Sequence, residues 1–146
     1  MKENISVIIA DENKELVSSI KQTIQENSKI KRVETCFNGE ETLEKIINIK
    51  PDVVVLDAIL SGIDGFEVVE ETKKQGIDTK FIFLTSLTSD TFVQKAMNLG
   101  AGYYMIKPVS SELILKRILE VAELNSGEVK NNQVEEVSKI NKNKAM

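Results

Sequence analysis

Histidine is absent from these 146 residues. That removes the usual general base, the commonest protein metal ligand and every nucleophile activated by an imidazole. Whatever chemistry the chain performs must rest on carboxylates, lysine, hydroxyls or tyrosine. Cysteine occurs once, as Cys36, so no internal disulfide can form, which fits a reducing cytoplasm. Cys36 lies in a strand-like stretch (residues 33–37) and reads as a small packed side chain, not a reactive thiol. No apolar run approaches the roughly 20 residues that span a bilayer. Met1-Lys2-Glu3-Asn4 leads straight into a strand pattern, without the apolar core or cleavage site of a secretory signal. The net charge of −4 gives no electrostatic reason to expect nucleic-acid binding. The expectation is a cytoplasmic protein with no membrane partner.

What is present is the composition of one globular domain, 41% hydrophobic and 29% charged. Its length allows a sizeable core without disulfides or metal staples. Val53-Val54-Val55-Leu56 is four apolar residues in a row, three of them β-branched, and reads as a strand buried on both faces. Similar runs lie at residues 5–10, 33–37, 81–84 and 103–106. Between them the spacing turns helical: Leu16, Val17, Ile20 and Ile24; Leu43, Ile46 and Ile47; Phe66 and Val69; Phe92, Val93 and Ala96; and Leu113, Leu115, Ile118, Leu119 and Ala122. Asn38-Gly39 marks a turn, Pro51-Asp52 breaks the second helix, and Gly100-Ala101-Gly102 stops the fourth. Strand then helix, five times with short connections, predicts an α/β protein: a doubly wound parallel sheet of five strands with five helices over both faces. Periodicity does not give the strand order. From residue 125 the chain turns polar, and 125–146 reads as a linker or tail, with Val134, Val137 and Ile140 spaced for a short transient helix.

Ligands of open parallel sheets bind at the carboxyl ends of the strands. Four such ends carry chemistry here: Asp11-Glu12 after the first strand, Asp57 after the third, Thr85 after the fourth and Lys107 after the fifth. Three carboxylates on one rim repel one another unless a cation sits among them, and an oxygen-rich site suits Mg²⁺. Thr85 adds a hydroxyl and Lys107 a fixed positive charge. Together these are the parts for phosphoryl transfer onto a carboxylate, where positioning and electrostatics do most of the catalysis. Each residue alone has a plainer reading. Asp57 would be a turn carboxylate, Asp11-Glu12 a helix start, Lys107 a solvated lysine, Thr85-Ser86 a cap and Tyr104 a half-buried aromatic. The plainer readings would have to hold for all five at once, in order.

Across residues 4–124 the chain resembles the response-regulator receiver family of two-component signalling. The matching stretches are VIIADEN (7–13), NGEETL (38–43), PDVVVLDAILSGIDGFEVV (51–69), FLTS (83–86), and Ala96 with NLGAGYYMIKP (98–108). In this order they are specific, although each alone is weak. The stretches IIADENKELVSSI (8–20) and NLGAGYYMIKP are most similar to receivers of the sporulation master regulators. The resemblance implies the flavodoxin-like three-layer sandwich, with residues 1–124 as the receiver. It implies Asp57 as phospho-acceptor, Glu12 as a direct Mg²⁺ ligand, Asp11 orienting metal-bound water, and the backbone carbonyl of Ile59 completing the metal shell. Thr85 would be the switch hydroxyl, Lys107 the phosphate-contacting lysine, Tyr104 the aromatic that turns inward, and Pro108 the residue after a cis peptide bond. The implied phosphodonor is a sensor histidine kinase or phosphotransfer protein. The face of the fourth helix, fifth strand and fifth helix (about residues 88–124) would dimerise or bind targets.

Three positions depart from the family pattern. Glu12 replaces the commoner aspartate, Ser61 stands where proline is usual, and Ser86 where alanine is usual. The loop after Asp57 is therefore expected to be looser, and Ser86 to be able to add a hydrogen bond near the phosphate. No helix-turn-helix or basic patch follows Val121. The chain is thus expected to be either a stand-alone receiver or part of a transcription factor whose DNA-binding domain lies elsewhere. Two rivals remain from the residues. One is a Mg²⁺-dependent phosphohydrolase using Asp57, whose second aspartate would fall at Ile59, which cannot transfer a proton. The other is a degenerate receiver that binds partners without phosphate, against which the intact acid and lysine set argues.

Overall fold

The structure, a computed structural model, describes residues 2–124. The linker reading of 125–146 lies outside the described residues. Strands and helices alternate without interruption: β1 (Ile5–Ala10), α1 (Lys14–Gln25), β2 (Ile30–Cys36), α2 (Gly39–Ile49), β3 (Val53–Leu56), α3 (Gly65–Lys74), β4 (Lys80–Thr85), α4 (Asp90–Asn98), β5 (Tyr103–Ile106) and α5 (Ser111–Ala122). The five strands form one parallel sheet in the order β2-β1-β3-β4-β5.

The two-residue period of each strand divides the core. Ile5, Val7 and Ile9 of β1, Val53 and Val55 of β3, Ile82 and Leu84 of β4, and Tyr103 and Met105 of β5 pack on one face with α1 and α5. The alternate residues, Ile8, Ala10, Val54, Leu56, Phe81, Phe83, Tyr104 and Ile106, pack on the other face with α2, α3 and α4. The result is three layers, helix, sheet and helix. β3 lies mid-sheet and all four of its residues are buried, as its unbroken apolar run requires.

Some elements differ from their sequence patterns. β2 starts at Ile30, not residue 33. It is an edge strand, so Lys31 and Arg32 sit exposed within it and mask its period. Asn38-Gly39 is not a free turn. Asn38 caps α2, its side chain accepting the Glu41 amide N–H at 2.8 Å, and Gly39 is the first helical residue. The buried face of α5 is Ile114, Arg117, Ile118, Val121 and Ala122, whereas Leu113, Leu115 and Leu119 are only partly covered. α4 is the most lightly anchored helix. It spans nine residues, has no side-chain cap at Ser89 and fully buries only Ala96.

Candidate functional site

The strand order places β1 beside β3, with Ala10 opposite Leu56. The next residue of each strand is an aspartate, so Asp11 and Asp57 project at neighbouring carboxyl ends, where the winding of the sheet reverses. Backbone hydrogen bonds fix both: Asp57 N–H donates to the Ala10 carbonyl at 3.0 Å, and Asp11 N–H to that of Cys36 at 3.1 Å. On the far side, Lys107 follows β5 and its N–H donates to the Thr85 carbonyl at 2.9 Å. Its side chain crosses the mouth of the sheet. The Lys107 Nζ donates to Asp11 Oδ2 at 2.6 Å and to Asp57 Oδ2 at 2.8 Å. The two aspartates are nearly buried, and the lysine is less so. Burial works to lower the lysine pKa, but hydrogen bonds and charge from Asp11 and Asp57 outweigh it and hold the pKa above 10.5.

The other oxygen of each aspartate is held locally. Asp11 Oδ1 accepts the Asn13 N–H at 2.9 Å, and Asp57 Oδ1 accepts the Ile59 N–H at 3.0 Å. Ile59 itself is 54% exposed. α3 begins tight against the aspartate. Gly65 N–H donates to the Ala58 carbonyl at 2.9 Å, and a Cβ on Gly65 would lie 2.3 Å from the Asp57 carbonyl oxygen. Only glycine tolerates that approach.

Two carboxylates converge here, not three. Glu12 is exposed, and its Oε1 accepts the Ser61 backbone N–H at 2.8 Å. Among the described residues, no three of His, Cys, Asp and Glu stand close enough together to hold a metal ion. The donors that do converge are hard oxygens. Mg²⁺ takes one or two carboxylates and keeps its waters, so the chemistry of the Asp11 and Asp57 pair suits it.

Thr85 ends β4 fully buried, and its Oγ1 accepts the Leu87 N–H at 3.4 Å. Tyr104 is also fully buried, and its hydroxyl donates to the Leu87 carbonyl at 2.7 Å. Leu87 therefore ties Thr85 to Tyr104 through its own backbone. Nothing in the sequence marks this link, because a backbone amide has no residue signature. Burial pushes the Tyr104 hydroxyl up to about 12, and the Asp57 charge adds to the effect. An absorbance titration should therefore resolve a tyrosine with a midpoint of about 12 that is missing from Tyr104→Phe. Only ordinary tyrosine titration near 10 would show that the ring is not held in this pocket. Ser86 is exposed beside Thr85. The Lys107–Pro108 peptide bond is cis. Cys36 is buried and its thiol is pushed up to about 12 by burial, so it is a packing residue.

The loop between β3 and α3 leans on the start of α2. Gly39 N–H donates to the Ser61 carbonyl at 3.0 Å, and Glu40 Oε1 accepts the Ile63 N–H at 3.1 Å. A Cβ on Gly39 would fall 1.8 Å from the Ile63 carbonyl oxygen. Gly39→Ala is expected to cost about 1–3 kcal/mol, since backbone must move to admit one methyl group. A denaturant midpoint shifted at constant m would register it. An unshifted midpoint would mean that the loop gives way freely.

A parallel sheet wound in the order 2-1-3-4-5 defines a flavodoxin-like α/β protein with its functional rim beside β1 and β3. The family model described as the response regulator receiver domain matches residues 7–119, and the chain belongs to that family. Solved structures agree. A LuxR-family DNA-binding response regulator from Staphylococcus aureus is 27% identical, with a TM-score of 0.76 over 82% of this chain and 99% of that one. The chemotaxis response regulator CheY4 of Vibrio cholerae is also 27% identical, with a TM-score of 0.72 over 83% of this chain and 99% of that one. The BeF3-activated DrrB receiver domain is 29% identical, with a TM-score of 0.73 over 85% and 100%. Receiver domains are switches of two-component systems, so the chain belongs to phosphorylation-based signalling. Among the described residues no helix is long and apolar enough to cross a membrane.

Proposed function

We propose that Asp57 accepts a phosphoryl group from a sensor histidine kinase or phosphotransfer protein, and that the domain passes this charge to an output. The observation that carries the reading is the Lys107 ammonium, within 2.8 Å of both Asp57 and Asp11 at the carboxyl rim of the sheet. A carboxylate oxygen of Asp57 attacks phosphorus, the new O–P bond forms, and the donor's bond to phosphorus breaks with its electron pair. Asp11 and Asp57, with the Ile59 carbonyl and Glu12, would hold Mg²⁺, which would neutralise charge on the phosphoryl oxygens. Lys107 is the fixed cation for the same oxygens.

The phosphoryl group adds about −1.5 to −2 charge beside Asp57. Thr85 answers it with its hydroxyl, and Leu87 carries the movement to Tyr104. The face of α4, β5 and α5 then changes, and the light anchoring of α4 makes it the element that yields. That face dimerises or binds a target. The likeness to a DNA-binding response regulator supports a transcriptional output, and the resemblance of residues 8–20 and 98–108 to sporulation receivers supports sporulation as the programme. A cytoplasmic location follows from that role.

The test is intact mass after incubation with acetyl phosphate and Mg²⁺. One phosphoryl adduct is expected, lost without metal and lost in Asp57→Asn. Labelling that survives in Asp57→Asn would overturn the assignment. Multiple turnover of small phosphoesters would indicate a phosphohydrolase instead.

A further inference from the structure

Two of the positions that depart from the family pattern, Glu12 and Ser61, are bonded to each other. Glu12 Oε1 accepts the Ser61 backbone N–H at 2.8 Å, across 49 residues of sequence. Proline at 61 would have no N–H to give. The extra methylene of glutamate over aspartate supplies the reach to the loop.

We propose that Ser61, through its backbone N–H, is a positioning residue for Glu12, latching this carboxylate to the β3–α3 loop and away from the aspartate pair. The inference rests on the Mg²⁺ reading of the site. Three observations support it. Glu12 stands outside the convergent pair, and no three-carboxylate cluster exists among the described residues. The loop it grips is held independently from its other side, by Gly39 on the Ser61 carbonyl and by Glu40 on the Ile63 N–H. Ser61 thus offers its amide from a fixed frame. For Glu12 to ligate a metal, it must give up a hydrogen bond to a charged group. The latch therefore opposes metal binding, and metal binding frees one side of the loop that follows Asp57. The domain then senses Mg²⁺ in this loop before any phosphoryl group arrives.

The test compares wild type, Ser61→Pro and Ser61→Ala by calorimetric Mg²⁺ titration, together with hydrogen exchange of the Ser61 amide. Ser61→Pro deletes the N–H but keeps the carbonyl that Gly39 uses. It should bind Mg²⁺ about tenfold more tightly, the factor that one hydrogen bond to a charged group commands. Ser61→Ala keeps the N–H and should bind as wild type does. In wild type the Ser61 amide should exchange slowly without metal and faster when Mg²⁺ is saturating. Equal affinity of Ser61→Pro and wild type overturns the latch, as does equal tightening in Ser61→Ala. If Ser61→Pro does not fold, the wild-type exchange decides. An unprotected Ser61 amide without metal, or one unchanged by metal, overturns the proposal. Absence of Mg²⁺ binding in wild type overturns the metal reading instead, and the latch falls with it.

Discussion

Lys107→Met should slow the labelling of Asp57 by acetyl phosphate by about 10²–10³-fold, the cost of removing one preorganised group that stabilises transition-state charge. Methionine keeps much of the length and apolar stem of lysine and deletes only the charge. The lysine is the sole cation bonded to both aspartates among the described residues, at 2.6 and 2.8 Å. Its loss also leaves two nearly buried carboxylates facing each other with no cation between them. In the wild type the pH dependence of the rim belongs to the lysine. Its folded pKa is raised above 10.5, so its pairing contributes fully below that pH and is lost as pH rises through the folded value. Labelling at the wild-type rate in Lys107→Met would remove Lys107 from the mechanism. A comparable loss in Lys95→Met, which deletes a lysine lying over the Phe66 ring and outside the rim, would mark the effect as general destabilisation.

Phe83→Ala should cost about 3–5 kcal/mol of folding stability, a large part of what a domain of this size possesses. Phe83 is fully buried in the central part of β4. Its ring lies 5.0 Å from that of Phe66 on α3 and 6.0 Å from that of Tyr104 on β5. Phe66 in turn stacks on Phe92 of α4, 6.1 Å away. Truncation opens a cavity where two aromatic neighbours are held by backbone on separate elements, so little can collapse into it. Denaturant unfolding should show the lowered midpoint. A loss below about 1 kcal/mol would show that the helices close over the gap. The same row of rings joins the Tyr104 pocket to α4. Phe83→Ala should therefore also return the Tyr104 midpoint from about 12 towards 10.

Much of this protein was legible in its residues. The unbroken apolar run of β3 demanded burial on both faces, and β3 lies mid-sheet with helices above and below. The candidate site residues were legible because each stands at or just past the carboxyl end of a strand, and the strand ends were marked by abrupt polarity. Edge effects hid more. β2 lost its first three residues to Lys31 and Arg32, which an edge strand can expose. On α5, Leu113, Leu115 and Leu119 read as part of the apolar stripe with Ile118 and Ala122, yet it is Ile114 and Val121 that join Ile118 and Ala122 in the buried face. Three apolar residues in a row leave the helical phase undetermined until the sheet chooses a side. Asn38 was a turn signal by composition and a helix cap by geometry, because its side chain serves both roles.

The sequence by itself determined the alternation of strand and helix, the residue at each strand's carboxyl end, and a chemistry of carboxylate, hydroxyl and lysine without histidine. Those properties are local, set by periodicity and side-chain type within a few residues. Only the tertiary structure decided that β1 lies beside β3, that one lysine spans two aspartates 96 and 50 residues away, and that Glu12 turns to Ser61. These depend on strand order and on backbone N–H and C=O groups, which every residue carries alike and no pattern of side chains can announce.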